Sequence, residues 1–405
     1  MTTQDLDRRG LAALACGHAA ADLCQGSIPA LIPFLITQRH YSFGAAGALL
    51  LVVTVGSSII QPLFGAASDR LHLWWLMPLG VGLAAVGIAG AGLSSSFALT
   101  CLLVGLGGLG VAAFHPEGAR YANYASGSRR GTGMSLFSVG GNAGFALAPV
   151  LITPAVLAVG LSGTLLVAIL PALAAAVLLL ELPHLRERSA AAAQAISERS
   201  ASREDDDWRA FGTLTGVVSF RSGVYFGLQS FAPVWLIHEY GASEAGGNAA
   251  LAAMLIAGAA GTLVGGRLVD RIGRRKVLLG TIVAQIPLLL AFLLAPDGIA
   301  AGVLLAAIGF VTVMSFSVTV VMGQEYLPSR LGIASGVTLG FAIGVGGVAA
   351  ALLGALADHA GLQTVMWTIA ALPLFGLALA FTLPLTAQEA RLHSAARYHQ
   401  LHDAT

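Results

Sequence analysis

Gly266-Arg267-Leu268-Val269-Asp270-Arg271-Ile272-Gly273-Arg274-Arg275 closes one apolar run of this chain, and Gly65-Ala66-Ala67-Ser68-Asp69-Arg70 closes another 201 residues earlier. The same offset relates Ser128-Arg129 to Ser329-Arg330, and Gly131 to Gly332. Among the 405 residues, 56% are hydrophobic and only 10% are charged, far less charge than a soluble domain carries. A chain this apolar that repeats itself once over about half its length reads as two related membrane bundles fused in tandem. Secondary transporters are built this way, with the substrate held between the halves.

A bilayer core about 30 Å thick needs about 20 apolar residues per helix. Twelve segments qualify, near 11–38, 43–66, 74–94, 97–122, 131–158, 163–182, 211–238, 245–268, 276–295, 298–326, 331–357 and 362–384. Strands with open edges cannot cross lipid, because their backbone groups lack partners there. The expected fold is therefore an all-α integral membrane protein, with twelve transmembrane helices in two pseudo-symmetric six-helix bundles. The expected boundaries are an N-terminal stub at 1–10, bundles at 11–182 and 211–384, a polar linker at 183–210 and a tail at 385–405.

Basic residues fix the expected orientation. Of the 21 Lys and Arg residues, only Lys276 is a lysine. Arg8 and Arg9 precede the first segment. Arg70, Arg129 and Arg130, the run from Arg186 to Arg209, Arg271 to Lys276, Arg330, and Arg391 with Arg397 then fall at every second connection. The alternate connections hold only Arg39. The positive-inside rule puts both termini and the linker in the cytoplasm. The first apolar stretch is interrupted by Asp22 and followed by many more, so it reads as a retained span rather than a cleaved leader. Cys16, Cys24 and Cys101 sit in apolar segments with no redox or metal-ligand spacing.

Charge at membrane depth costs about 2.5–3.5 kcal/mol by insertion scales, so each ionisable residue there is a functional candidate. Asp22 lies about 11 residues into the first segment, roughly 16 Å deep at about 1.5 Å per residue. Arg221 lies at similar depth in the seventh, and the repeat offset puts it opposite position 20. An acid and a base at nearly equivalent places suit an anion and a proton that compete; alternatively the two pair and only hold the halves together. His18 is one turn before Asp22, and either shares its proton or bonds a neighbouring hydroxyl. His115 and Glu117 read as a proton-coupling cluster or, alternatively, as part of a fixed gate lock, and Asp22 reads as a separate proton carrier or as a helix-packing partner. Arg120, three residues after Glu117, is either a substrate contact or its restraining partner, and Pro116 is expected to bend the helix. A guanidinium at Arg221 gives a planar, bidentate fit to phosphonate or carboxylate. Gln25, Asn142, Tyr225 and Gln229 are candidate cavity-lining groups. Gly140 and Gly144 in the fifth segment, and Gly336, Gly340 and Gly344 in the eleventh, form small-residue grooves for close helix approach.

The repeated Gly-x-x-x-Asp-Arg phrase between segments 2–3 and 8–9, the two six-segment halves and the central loop resemble the major facilitator superfamily. The resemblance implies that each phrase forms an inner gate: its Asp neutralises the N-terminal end of a helix from the opposite half and pairs with Arg. Asp69, Arg70, Asp270, Arg271, Arg274 and Arg275 would then be gate residues, with Glu325 and Arg330 beside them. The first copy departs, since Leu71-His72-Leu73 stands where Gly and two basic residues would follow, and a weaker first gate is implied. Within the superfamily the chain looks most like the fosmidomycin-resistance efflux group. The likeness rests on Gly17-His18 with Asp22 and Gln25, Phe114-His115-Pro116-Glu117-Gly118-Ala119-Arg120, Val139-Gly140-Gly141-Asn142, and Gln324-Glu325-Tyr326-Leu327-Pro328-Ser329-Arg330-Leu331-Gly332. A drug-antiporter signature in segment 5 is incomplete: Phe145 stands where its Pro would be, and Pro149 comes four residues later.

These readings converge on a proton-coupled exporter of a small anionic, phosphonate-like compound that works by alternating access. Its partners would be that anion, protons and the lipid bilayer, with no nucleic acid and no cofactor, and one chain holds a complete pathway as a monomer. Two rivals are a proton-driven importer of a metabolite anion and a non-transporting receptor on the same fold. No nucleophile–base pair, metal-ligand spacing or phosphate loop is present, which argues against an enzyme. Gly105-Leu106-Gly107-Gly108 lies within an apolar helix without the preceding strand a nucleotide loop requires.

Overall fold

The computed structural model describes residues 6–41, 43–71, 73–200, 206–242 and 244–384. Among these there is no strand. The helices are α1 (Arg8–Arg39), α2 (Phe43–Thr54), α3 (Gln61–Leu71), α4 (Leu76–Leu93), α5 (Phe97–Ala125), α6 (Arg130–Val159) and α7 (Gly163–Ser200). They continue with α8 (Trp208–Tyr240), α9 (Glu244–Ile272), α10 (Arg274–Leu293), α11 (Gly298–Met314), α12 (Phe316–Tyr326), α13 (Leu331–Ser335) and α14 (Ala342–Phe381). A π-helical turn, Val55–Ile59, joins α2 to α3, and another, Gly336–Phe341, joins α13 to α14.

Nine helical stretches among the described residues are long and apolar enough to cross a membrane. One of them, Arg130–Arg188, spans 59 residues and contains two legs, α6 and α7, separated at the short turn Gly160–Ser162. Helices α1 and α8 have 32 and 33 residues and the length to span, while polar side chains including Asp22 and Arg221 dilute their apolarity. Counting both legs and adding these two helices is consistent with twelve crossings.

The sequence repeat is written into the backbone. Helix α1 ends at His40 in the left-handed region (φ 56°) with its N–H on the Leu35 carbonyl, and α8 ends at Gly241 (φ 63°) with its N–H on Leu236. Gly160 and Gly361, again 201 apart, have φ of 66° and 80°. The helix starts match as well. Asp7 caps α1 by accepting from the Gly10 amide at 3.0 Å, and Asp207 caps α8 by accepting from Ala210 at 2.9 Å. Their own amides donate to the carbonyls of Ala125 and Tyr326 at 2.8 and 2.7 Å. Each cap thus satisfies amides that a helix start would otherwise leave unpaired.

Packing divides the chain into two compact units, Met1–Ala195 with Arg330–Gly347, and Ile196–Ser329 with Val348–Thr405. The first is cored by Leu23, Ile28, Leu31 and Ile152, and the second by Leu228, Trp235, Phe292 and Ile308. Small residues set the helix spacings. In the first unit, Cβ atoms at Gly140 and Gly144 would run into the backbone of Ala15 and Ala19, so α6 lies hard against α1. In the same unit, the glycine stripe of residues 336, 340 and 344 lies over Gln61, Ser58 and Ile59. The Gln61 side chain fills the notch at Gly340 and donates to the Ser57 carbonyl at 2.6 Å, across one of the π turns. Helix α5 runs through Pro116 unbroken.

Gly361 (φ 80°, ψ 162°) has open space where a Cβ would stand, so a substitution there meets only backbone strain. Gly361→Ala is expected to cost about 1–3 kcal/mol and lower the thermal unfolding temperature of the detergent-purified protein. Gly280→Ala, inside α10 with equally open space, is expected to stabilise by about 0.5–1 kcal/mol, the difference between helical Ala and Gly, and so to raise that temperature.

Candidate functional site

One turn of α1 puts His18 and Asp22 on the same face, and α5 brings His115 to them. The His18 Nε2 stands 3.4 Å from Asp22 Oδ2, and the His115 Nε2 stands 3.2 Å from Asp22 Oδ1. All three side chains are buried. The other ring nitrogens are fixed: Nδ1 of His18 lies 2.8 Å from the Phe137 carbonyl, and Nδ1 of His115 lies 2.8 Å from the Val111 carbonyl. A carbonyl only accepts, so both Nδ1 atoms carry hydrogen. His18 also stacks on Phe137 at 4.1 Å between centroids and meets His115 edge-on at 4.9 Å. Gly141 closes the site from α6; a Cβ there would come within 2.5 Å of both Asp22 Oδ2 and His18 Nε2. The tight α1–α6 packing therefore brings bare backbone to the triad.

His115 and Glu117 are two apart on one helix, roughly 200° around it, and the structure separates them into different networks. Glu117 Oε1 pairs with Arg120 Nη1 at 3.3 Å. Arg120 also donates to the Ser68 carbonyl at 3.1 Å and makes a close ion pair with Asp69. Asp69 in turn accepts from the amides of Gly332 and Ile333 at 2.8 and 2.9 Å, at the start of α13. A carboxylate is well placed there, because free amides and the helix dipole both favour negative charge. Gly65 makes the approach possible, since a Cβ would collide with the Gly332 carbonyl. Arg120 is thus occupied by two carboxylates and a carbonyl.

The remaining candidates are more dispersed. In the second unit, buried Arg274 pairs with Glu325 at 2.8 Å, and Arg275 donates to the Phe381 carbonyl at 2.9 Å. Arg70, Asp270 and Arg271 are exposed, Arg330 and Asn142 are half-buried, and Gln25 is buried in α1. Arg221, Tyr225 and Gln229 repeat every fourth residue along α8. The Arg221 guanidinium lies 5.0 Å from the centre of the Phe316 ring, and its Nη1 is buried without a hydrogen-bond partner. Among the described residues no carboxylate pairs with it. Phe137, Ser68 and Gly141 complete these sites, and sequence reasoning did not find them. The first two act through backbone carbonyls, which no residue type announces. His72 lies outside the described residues.

Asp69→Ala is expected to destabilise the purified protein by about 3 kcal/mol, the low end for breaking a buried ion pair, because Glu117 still holds Arg120. Arg70→Ala, at an exposed site, is expected to leave thermal unfolding unchanged.

The Major Facilitator Superfamily profile matches residues 14–351. The MFS-type transporter YfnC of Bacillus subtilis (strain 168) is 34% identical over 387 residues, covering 93% of each chain. The fosmidomycin resistance protein of Escherichia coli (strain K12) is 33% identical over 377 residues, covering 92% of each. Among solved structures, the E. coli fucose:proton symporter superposes with a TM-score of 0.71 at 16% identity, over 93% of this chain and 98% of that one. The human organic anion transporter MFSD10 superposes with a TM-score of 0.70 at 19% identity, over 93% and 100%. Proteins of this fold carry small molecules across membranes and are not enzymes. The chain belongs to the major facilitator superfamily and resembles its fosmidomycin-resistance members.

Proposed function

We propose that this transporter exports a small anion of phosphonate or carboxylate type from the bacterial cytoplasm in exchange for protons. The observation that carries the reading is Arg221. A guanidinium on a helix long enough to span, set against an aromatic ring and without a carboxylate partner among the described residues, is a cation kept available for an anion. Tyr225 and Gln229, on the same face of α8, supply further polar contacts. The likeness to the fosmidomycin resistance protein supports a phosphonate as the first substrate to try.

The two buried networks of the first unit are the proton carriers in this scheme. Asp22 and its histidines take a proton in one, and Glu117 takes a proton in the other. Glu117 aims the Arg120 guanidinium at Asp69, so neutralising Glu117 removes one of the two carboxylates that fix Arg120. The hold of Asp69 on the Gly332 and Ile333 amides then loosens, and Leu331–Gly347 is released from α3. By alternating access the site opens to the cytoplasm, protons leave, and the anion binds Arg221. Arg120 acts as a gate residue here and leaves the substrate to Arg221. Arg274 with Glu325 is the corresponding restraint in the second unit, and both termini lie in the cytoplasm.

Transport of labelled fosmidomycin into inside-out vesicles tests the central contact. Arg221→Ala is expected to weaken apparent affinity about tenfold or more, the share of one charge-assisted hydrogen bond, and Arg221→Lys to recover part of it. Unchanged transport in Arg221→Ala would sink the proposal.

A further inference from the structure

His18, Asp22 and His115 present a second chemistry that no local sequence spacing announced, because the two contributing helices are far apart in the chain. Both Nδ1 atoms are committed as donors to backbone carbonyls. In the neutral rings both Nε2 atoms are therefore lone pairs, and they point at the two oxygens of a carboxylate, which also only accepts. Acceptors gathered in a buried place repel one another unless a cation stands among them.

The geometry matches a particular kind of cation. The His–Asp separations are 3.2 and 3.4 Å, and the three ligand atoms all lie within 4.8 Å of one another. Tetrahedral zinc with bonds of about 2.0–2.1 Å has ligand–ligand edges of about 3.3–3.4 Å, so the two nitrogens, which approach different oxygens of Asp22, would draw in slightly around an ion. Metal-bound histidines also typically hold the second ring nitrogen on a carbonyl or carboxylate, as both do here. Gly141 presses bare backbone against two of the ligand atoms, where a Cβ would come within 2.5 Å of both, so the site is enclosed and dry enough to make an unanswered carboxylate costly. Two imidazoles and one carboxylate suit zinc, cobalt or nickel rather than magnesium or calcium.

We propose that His18, Asp22 and His115 bind one divalent transition-metal ion through the two Nε2 atoms and the Asp22 carboxylate. The ion competes with protons for the same lone pairs. The site stands whether or not the chain carries an anion.

Cobalt titration of the full-length protein in detergent, with any purification tag removed, tests this directly. The wild type is expected to bind one Co²⁺ per chain with the strong visible absorption of a tetrahedral site, and Zn²⁺ should bleach that signal. Asp22→Asn and His115→Gln are each expected to weaken binding by more than the about 10–100-fold that loss of a supporting hydrogen bond costs. A thermal unfolding temperature and far-ultraviolet circular dichroism spectrum that stay at the wild-type values in these variants separate a lost site from a lost fold. His184→Gln, which removes a histidine outside the triad, should change nothing. A wild type without the cobalt spectrum, or a spectrum that survives His115→Gln or Asp22→Asn, overturns the proposal.

Discussion

Charge inside a low-dielectric helical bundle has to be answered by charge, and that constraint organises this protein. An ionisable side chain at membrane depth costs about 2.5–3.5 kcal/mol by insertion scales, so few are tolerated without partners. In the first unit the answer is given twice. Asp22 is met by two histidines, and Arg120 by Glu117 and Asp69, with Asp69 also taking the amides that open α13. Removing any one group weakens the compensation of its neighbours, which ties the occupancy of each network to the packing of the helices that carry it. Among the described residues Arg221 is the exception, and the functional reading rests on it.

Glycine makes these pairings reachable. Side chains of ordinary length touch only when backbones come close, and Gly65, Gly140 and Gly144 stand at contacts where a Cβ would strike the facing carbonyl. The π turns at Val55–Ile59 and Gly336–Phe341 face the same interior of the first unit, with Gln61 of α3 seated at Gly340. Such turns strain the regular helix and often mark functional sites. Close packing and helix irregularity thus converge on the segment that the Asp69 contact holds in place.

The sequence carried the architecture openly. The repeated loop phrase, the apolar run lengths and the alternation of arginines are local patterns, and the structure repeats them as matching caps, carbonyl contacts and left-handed turns 200 or 201 residues apart. One of those turns was hidden: His40 takes the left-handed conformation its counterpart Gly241 takes, and histidine gives no signal for it. The ionisable residues were also legible one by one, because charge in an apolar run stands out. Their grouping was not. His115 and Glu117 look like one cluster in sequence, yet helical geometry sends them to different partners, and the anchors of both histidines are carbonyls. The acceptor geometry of the triad, which makes it a metal-ion candidate, emerges only when α1, α5 and α6 are brought together.

Proton movement coupled to anion movement is the claim on which the account turns. Acidified inside-out vesicles containing the protein and a pH dye, challenged with fosmidomycin and then a panel of small anions, would read it. The account predicts alkalinisation of the vesicle interior as the anion enters, absent in Asp22→Asn and in Glu117→Gln. Accumulation of labelled anion with no change in internal pH would contradict it.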